Sequence, residues 1–533
     1  MKNFSFFLIL ILSSTFTALN GQQEFSLQLQ PFTIGGFTGI QSFATGQDGP
    51  YILLVGGRTD GLHQRQPFAS FGPAGNNTSI QVINPVSREH WVASIDGLAA
   101  PLREQLQSTN MQFYQEDGFL YLTGGYGYSA TAGDHITHNR LTAIAVAPLI
   151  EAIREGQQDI APYFRQLTDD YFAVTGGYLE KIGETYYLVG GQRFTGRYNP
   201  HNGPSFVQEY SNQIRKFRII DDGETLSVAD KTAITDEVNL HRRDYNVLPQ
   251  IFPDGTAGIT AFSGVFQYTQ DLPFLNSVDI RPAGYTVNND FQQYLNHYHC
   301  GSAPLYDADG NKMHSIFFGG ISQYFLDDAG ALVQDNDVPF VSTIGRVTRS
   351  ADGSMVEQKI GELPTLLGAS SEFIIHPETP LYAPGVINLN ALPEDTALIG
   401  YLIGGIASTQ PNIFFINDGT QSWAQTTLFE VHYVPQSISS YPSVERASNL
   451  SGLEAYPNPA QREVNLAFTL AESTQLAATV QDTNGRIALE RQFPLLEAGA
   501  QKVMLELPGL PAGVYLITVT DGREQKSVKV VVE

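Results

Sequence analysis

One motif recurs along this chain: a short apolar strand stopped by a pair of glycines or a close variant. It reads YILLVGG ending at Gly57, FLYLTGG at Gly125, TYYLVGG at Gly191, GITAFSG at Gly264, HSIFFGG at Gly320 and IGYLIGG at Gly405. A second strand and a tight polar turn precede each copy, as in MQFYQEDG, LPQIFPDG, APLYDADGN and INLNALPED, so every copy opens with a β-hairpin. A long loop and a third strand follow (TSIQVIN, RLTAIAV, NQIRKFRII, NSVDIRP, STIGRVT, TLFEVHYV), often with a fourth such as HWVASI or MVEQKIGEL. Four antiparallel strands recurring at this spacing predict an all-β fold of propeller blades, six in number, with room for a seventh between 320 and 405.

The sixth unit stops at its third strand. EFSLQLQPF, residues 24 to 32, has no hairpin of its own and is the natural outer strand for that blade, closing the ring. The double-glycine strand resembles the kelch repeat over roughly residues 24 to 435, with blade one, VGG…NNTSIQVINPVSREHW, similar to the kelch glycine pair, third strand and tryptophan. Trp91 and Trp423 are the only tryptophans, so the repeats depart from that pattern elsewhere.

Residues 1–21 have the lysine, apolar run and small-residue end of a signal peptide, 22–436 form the kelch-like propeller and 437–451 a polar linker. Residues 452–533 alternate apolar and polar positions as a small immunoglobulin-like β-sandwich does. YPNP at 456 to 459, DTNGR at 482 to 486 and LPGLPAGVYLITV at 507 to 519 resemble the C-terminal sorting domain of type IX secretion cargo. That resemblance implies a Bacteroidetes-type bacterium, a partnership with the type IX machinery, and release from the cell or attachment to its surface.

A formal charge of −24 argues against nucleic acid and anionic membranes as partners. Beyond the signal segment no stretch has the length of a membrane span. Cys300 is the only cysteine, so packing rather than a disulfide must hold the fold, expected to be monomeric.

In an antiparallel blade the loop after the second strand and the connection to the next blade share one face, and here that face carries the long loops. Those loops hold many aromatics, among them Phe68, Phe71, Tyr126, Phe194, Tyr198, Phe206, Tyr210, Phe266 and Tyr268, suited to stacking on sugars or to packing the loops together. Two inter-blade segments stand out: LHRRDYNV, with His241, Arg242, Arg243, Asp244 and Tyr245, and LNHYHCG, with His297, Tyr298 and His299. We take these eight as candidate ligand-binding residues. The arginines suit an acidic group on a ligand, and the competing role for one of them is an ion pair with Asp244 that locks adjacent blades.

No catalytic residue is assigned: a Gly-x-Ser-x-Gly elbow, a HExxH helix and a P-loop are all missing from the sequence. No cofactor is predicted. The alternative is copper or zinc on His135, His138 and His299, and Tyr298-His299 is similar to the adjacent Tyr-His copper ligands of galactose oxidase, also a kelch-type propeller. The expected function is binding of a glycan or a protein partner by an exported propeller. The alternative is a carbohydrate-active enzyme, a lyase, hydrolase or galactose-oxidase-like copper oxidase, on the same face.

Overall fold

The computed structural model describes residues 25–64, 69–199, 205–435, 450–470, 473–482, 487–520 and 525–533. The signal-peptide segment, most of the linker, and Phe68 and His201 of the long loops lie outside them. The chain divides into two compact units, Met1–Gln436 and Ser437–Glu533.

The first unit is a six-bladed β-propeller. Blade one is Ala44–Asp48, Tyr51–Val55, Ser79–Asn84 and Glu89–Ser94, paired in that order. Blade three is Tyr178–Ile182, Thr185–Val189, Gln213–Asp221 and Leu226–Thr235, and blade four Asn246–Ile251, Ala257–Phe262, Ser277–Arg281 and Gly284–Asn288. Blade two, which starts at Thr109–Glu116, and blade five, which starts at Ser302–Asp307, keep the pattern with additions.

Blade six is Ala369–Ile375, Ala397–Ser408 and Leu428–Pro435, completed by Phe25–Phe32. The closing pair is antiparallel from Phe25↔Pro435 to Phe32↔Leu428, as the sequence implied.

A second closure lies nearer the axis. One residue from each blade's approach donates its backbone N–H to the carbonyl of the preceding blade's residue: Asn110 to Ser42 (3.1 Å), Gly176 to Asn110 (3.2 Å), Asp244 to Gly176 (2.7 Å), His299 to Asp244 (3.0 Å), Ser370 to His299 (2.8 Å) and Ser42 to Ser370 (3.0 Å). The cycle returns to its start after six members, so the ring has six blades. The interval once open to a seventh holds two pairs of short strands instead, Tyr324–Leu326 with Leu332–Gln334 and Leu381–Ala383 with Val386–Asn388.

The double glycines permit inter-blade contact. Gly124 has φ +63°, and a Cβ there would lie 1.7 Å from the Val174 carbonyl oxygen of the next blade's approach. Its neighbour Gly125 donates its N–H to that same carbonyl, at 3.0 Å. Gly191 does the same to Arg242, at 2.7 Å.

Two expectations are corrected, and one helix is new. INLN is not the first strand of blade six: Val386–Asn388 pairs in parallel with Ser302–Asp307, and Ala369–Ile375 takes the inner place. The predicted loops 126–139 and 192–212 are largely β-structure, since Phe119–Ser129 runs on into a hairpin with Asp134–Thr137, joined at Ile136↔Thr195 to Gln192–Gly196 and Phe206–Tyr210. The connection after the third strand of blade two contains a helix, Val146–Arg154, whose Leu149, Ile150 and Ile153 pack into the core shared with blade one.

The second unit is a sandwich. Leu450–Tyr456, Glu463–Leu470 and Gly499–Glu506 form one sheet; Ile487–Leu496, Thr474–Asp482, Gly513–Thr520 and Gln525–Val532 form the other. Val464, Leu466, Phe468, Val480, Ile517 and Val519 alternate inward to make its core. Asn458 of the YPNP turn accepts from Val531 N and donates to Lys529 O, both at 2.8 Å, which ties the motif to the last strand.

Candidate functional site

The long-loop face encloses a cleft of about 730 Å³ to which loops of all six blades contribute. Four of the six ring residues, Ser42, Asn110, Asp244 and His299, line both this cleft and a cavity of about 30 Å³ beneath it. The ring is therefore the floor of the mouth.

Two kinds of aromatic residue line the walls. Tyr126 packs on Phe71 (5.2 Å between centroids) and Phe194 (5.3 Å), Phe194 stacks on Phe206 (4.8 Å), and Tyr198 joins them through Phe71, Phe194 and Phe206. This group mainly holds the loops of blades one to three against one another. His63 sits among Phe71, Tyr198 and Phe414, and burial pulls its pKa down to about 4. Tyr268 and Phe415 differ: they line the cleft with 57 % and 58 % of their surface exposed.

The two candidate segments pass through the floor with the same alternation. Of the eight candidates, His241, Arg243, Asp244, Tyr298 and His299 line the cleft. Arg243 donates from Nε to the Tyr210 hydroxyl at 3.0 Å, pairs with Asp244 and lies 5.0 Å from the centroid of the Phe266 ring. Burial opposes its charge, but Tyr210 and Asp244 outweigh that and hold its pKa above the ordinary value.

His241 stacks on Tyr210 with 3.7 Å between centroids, and its Nδ1 lies 2.9 Å from Asn212 Oδ1. Because that amide oxygen can only accept, Nδ1 carries the proton and Nε2 keeps the lone pair. Burial, then Arg243, lowers the pKa of His241. Burial raises that of Tyr298, so its phenol stays protonated and able to donate. At His299 burial favours the neutral ring, but Glu372, with Oε1 3.2 Å from Nε2, and then Asp244 raise the pKa.

Arg242, Tyr245 and His297 are corrected to structural roles. Arg242 is 1 % exposed; Nε donates to Asn239 O (2.6 Å), Nη1 to Ser263 O (2.6 Å) and Asn276 O (2.9 Å), and Nη2 to the Asn276 side chain, with Phe274 packed 3.9 Å away. Its donors are spent on the backbone of blade four. Tyr245 is buried and donates to Val189 O at 2.8 Å across the blade boundary. His297, fully buried, donates from Nε2 to Gln293 O (2.9 Å) and accepts the Gln323 N–H at Nδ1 (3.0 Å).

The alternative metal set does not assemble. His135 bonds the Phe71 carbonyl at 3.1 Å, His138 is buried close to Glu104 and Arg140, and His299 is held by Glu372. No group of three or more His, Cys, Asp or Glu among the described residues is placed to hold a metal. Cys300 is buried with its thiol pushed up to about 12 by burial, and its Sγ faces Asn246 at 3.7 Å. These residues do not fit a copper-oxidase ligand set.

Reading the sequence alone missed Asn212, which sets the His241 tautomer, together with Glu372 and the floor residues Ser42, Asn110 and Ser370. The three floor residues share one signal, position just upstream of or at the start of a blade's first strand.

Fold and site thus define a six-bladed propeller with an aromatic mouth, and a C-terminal β-sandwich. Residues 454–533 match the family model described as the secretion system C-terminal sorting domain. No curated protein matches the chain. Among solved structures, one described as YjhT is 11 % identical with a TM-score of 0.41, covering 74 % of this chain and 99 % of its own. A fungal alcohol oxidase of the AA5 family, in complex with copper, is 10 % identical with a TM-score of 0.36, covering 95 % and 98 %. Neither likeness informs the chemistry of this site.

Proposed function

We propose that this chain is an exported protein whose propeller binds a neutral glycan in the mouth cleft, with the sandwich delivering it through type IX secretion to the cell surface or medium. The observation that carries the reading is the pairing of exposed aromatics with mixed donors and acceptors in one concave site. Tyr268 and Phe415 offer stacking faces, Tyr298 a donor, His241 Nε2 an acceptor, and Arg243 and Asp244 one of each. Charge favours a neutral ligand over an acidic one. Arg58 and Arg243 are already paired with Asp60 and Asp244, while Asp271 and Asp337 add negative charge to the lining.

Binding of the full mature chain to an array of neutral and acidic glycans tests this. Neutral glycans are expected to bind, with loss on Arg243→Ala; exclusive binding of sulfated or uronic-acid glycans would overturn it. One observation favours carbohydrate-active chemistry as a second reading: His241 in a fixed neutral tautomer shares the cleft with a protonated Tyr298, as a general base and acid require. Product formation from a bound glycan, lost in His241→Gln, is its test.

A further inference from the structure

We infer that the cleft receives the end of a glycan chain and not an internal stretch of one, an inference that rests on the glycan reading above. The argument starts from the ring of backbone hydrogen bonds. Six backbones at the ~4.8 Å spacing of paired β-chains lie on a circle of about 5 Å radius, which leaves an opening of roughly 6 Å between backbone surfaces. Asn110, Asp244 and His299 narrow it further, and the cavity beneath, about 30 Å³, has room for water and not for a pyranose. A polymer cannot thread the axis.

The cleft is therefore blind, with polar groups at the bottom and exposed rings higher up. Tyr298, Arg243 and Asp244 are grouped at or beside the floor, where they engage the hydroxyls of a terminal sugar. The 57 % and 58 % exposures of Tyr268 and Phe415 place them where the next sugars of the chain leave the bowl. They come from blades four and six, on either side of blade five. An internal segment would have to lie across the rim and forgo the floor.

The test titrates the full mature chain calorimetrically with neutral gluco-, manno-, galacto- and xylo-oligosaccharides from monosaccharide to hexasaccharide. Each series is paired with a long linear polysaccharide of the same linkage, and cyclomaltohexaose serves as a ligand without ends. In a series that binds, affinity per chain is expected to rise to the di- or trisaccharide and then level off. The polysaccharide is expected to bind one protein per chain, and chemical blocking of one terminus to abolish binding.

Phe415→Ala and Tyr268→Ala, at exposed positions that do not endanger folding, are each expected to weaken the trisaccharide about tenfold and the monosaccharide distinctly less. Several proteins bound per polysaccharide chain, or binding indifferent to blocking of either end, overturns end recognition and leaves the glycan reading standing. Failure of every series to bind overturns both.

Discussion

The segments 240–247 and 295–301 cross the floor in register, and their differences separate packing from function. At the first position stand Arg242 and His297, each buried and bonded to backbone of its own blade's loops. Next come Arg243 and Tyr298, both in the cleft; then Asp244 and His299, both in the hydrogen-bonded ring; then Tyr245 and Cys300, both buried. Roles follow register and not residue type. A charged arginine in one segment and a neutral histidine in the other do the same structural work, while neighbouring residues face a ligand.

The sharpest way to break that comparison is to exchange the two arginines' fates. Arg242→Met removes the guanidinium donor from three backbone carbonyls, that of Ser263 buried, and is expected to destabilise the propeller by about 3 kcal/mol or more, read by urea unfolding. Unchanged stability would mean Arg242 is not structural.

His297 gives a comparable effect through pH. Burial lowers its folded pKa from 6.5 to about 4, so its contribution is fully present above about pH 6.5 and is lost as pH falls towards 4. The full linkage amounts to about 3 kcal/mol, and His297→Gln should flatten that acid slope in denaturant titrations.

Arg243→Ala should act mainly on the ligand, weakening it by about thirtyfold with a stability change of about 1 kcal/mol, as calorimetry and unfolding together would show. His299 gives the smallest effect and the opposite sign. Its folded pKa is raised, so its contribution is present below about pH 6.5 and fades as pH rises through the folded value. His299→Gln should remove an alkaline-side slope, read in the same denaturant titrations. A parallel acid slope in both histidine variants would erase the distinction between the buried position and the ring position.

Much of the fold is written in local pattern. The glycine pairs mark five blades because the next blade's approach leaves no space for a Cβ at Gly124; in blade four Ser263-Gly264 keeps the positive φ, 52° and 105°, and accommodates the Cβ of Ser263. Phe25–Phe32 was legible as the closing strand because blade six lacked a fourth strand of its own.

The site was legible only to the segment. Which of Arg242 and Arg243 faces inward depends on where the chain crosses the ring, and the ring consists of backbone hydrogen bonds with no side-chain signature. Five of its members, Ser42, Asn110, Gly176, Asp244 and Ser370, share a positive φ, a trait that Ser, Asn, Asp and Gly only hint at in sequence, and His299 does not share it. INLN misled because its apolar pattern suits any buried strand, and its partner, Leu305 in blade five, lies 82 residues earlier.

The pairing of Phe32 with Leu428 also sets a schedule for the newborn chain. The first strand has no partner until the last strand of the propeller has been made, so the clasp is among the most sequence-distant contacts in the unit. Until that strand is made, blades already formed can build only an open arc. It becomes a ring only at the moment when its final residues, those leading to the sorting sandwich, are in place. Losing a few residues from either end of the propeller reopens the same blade.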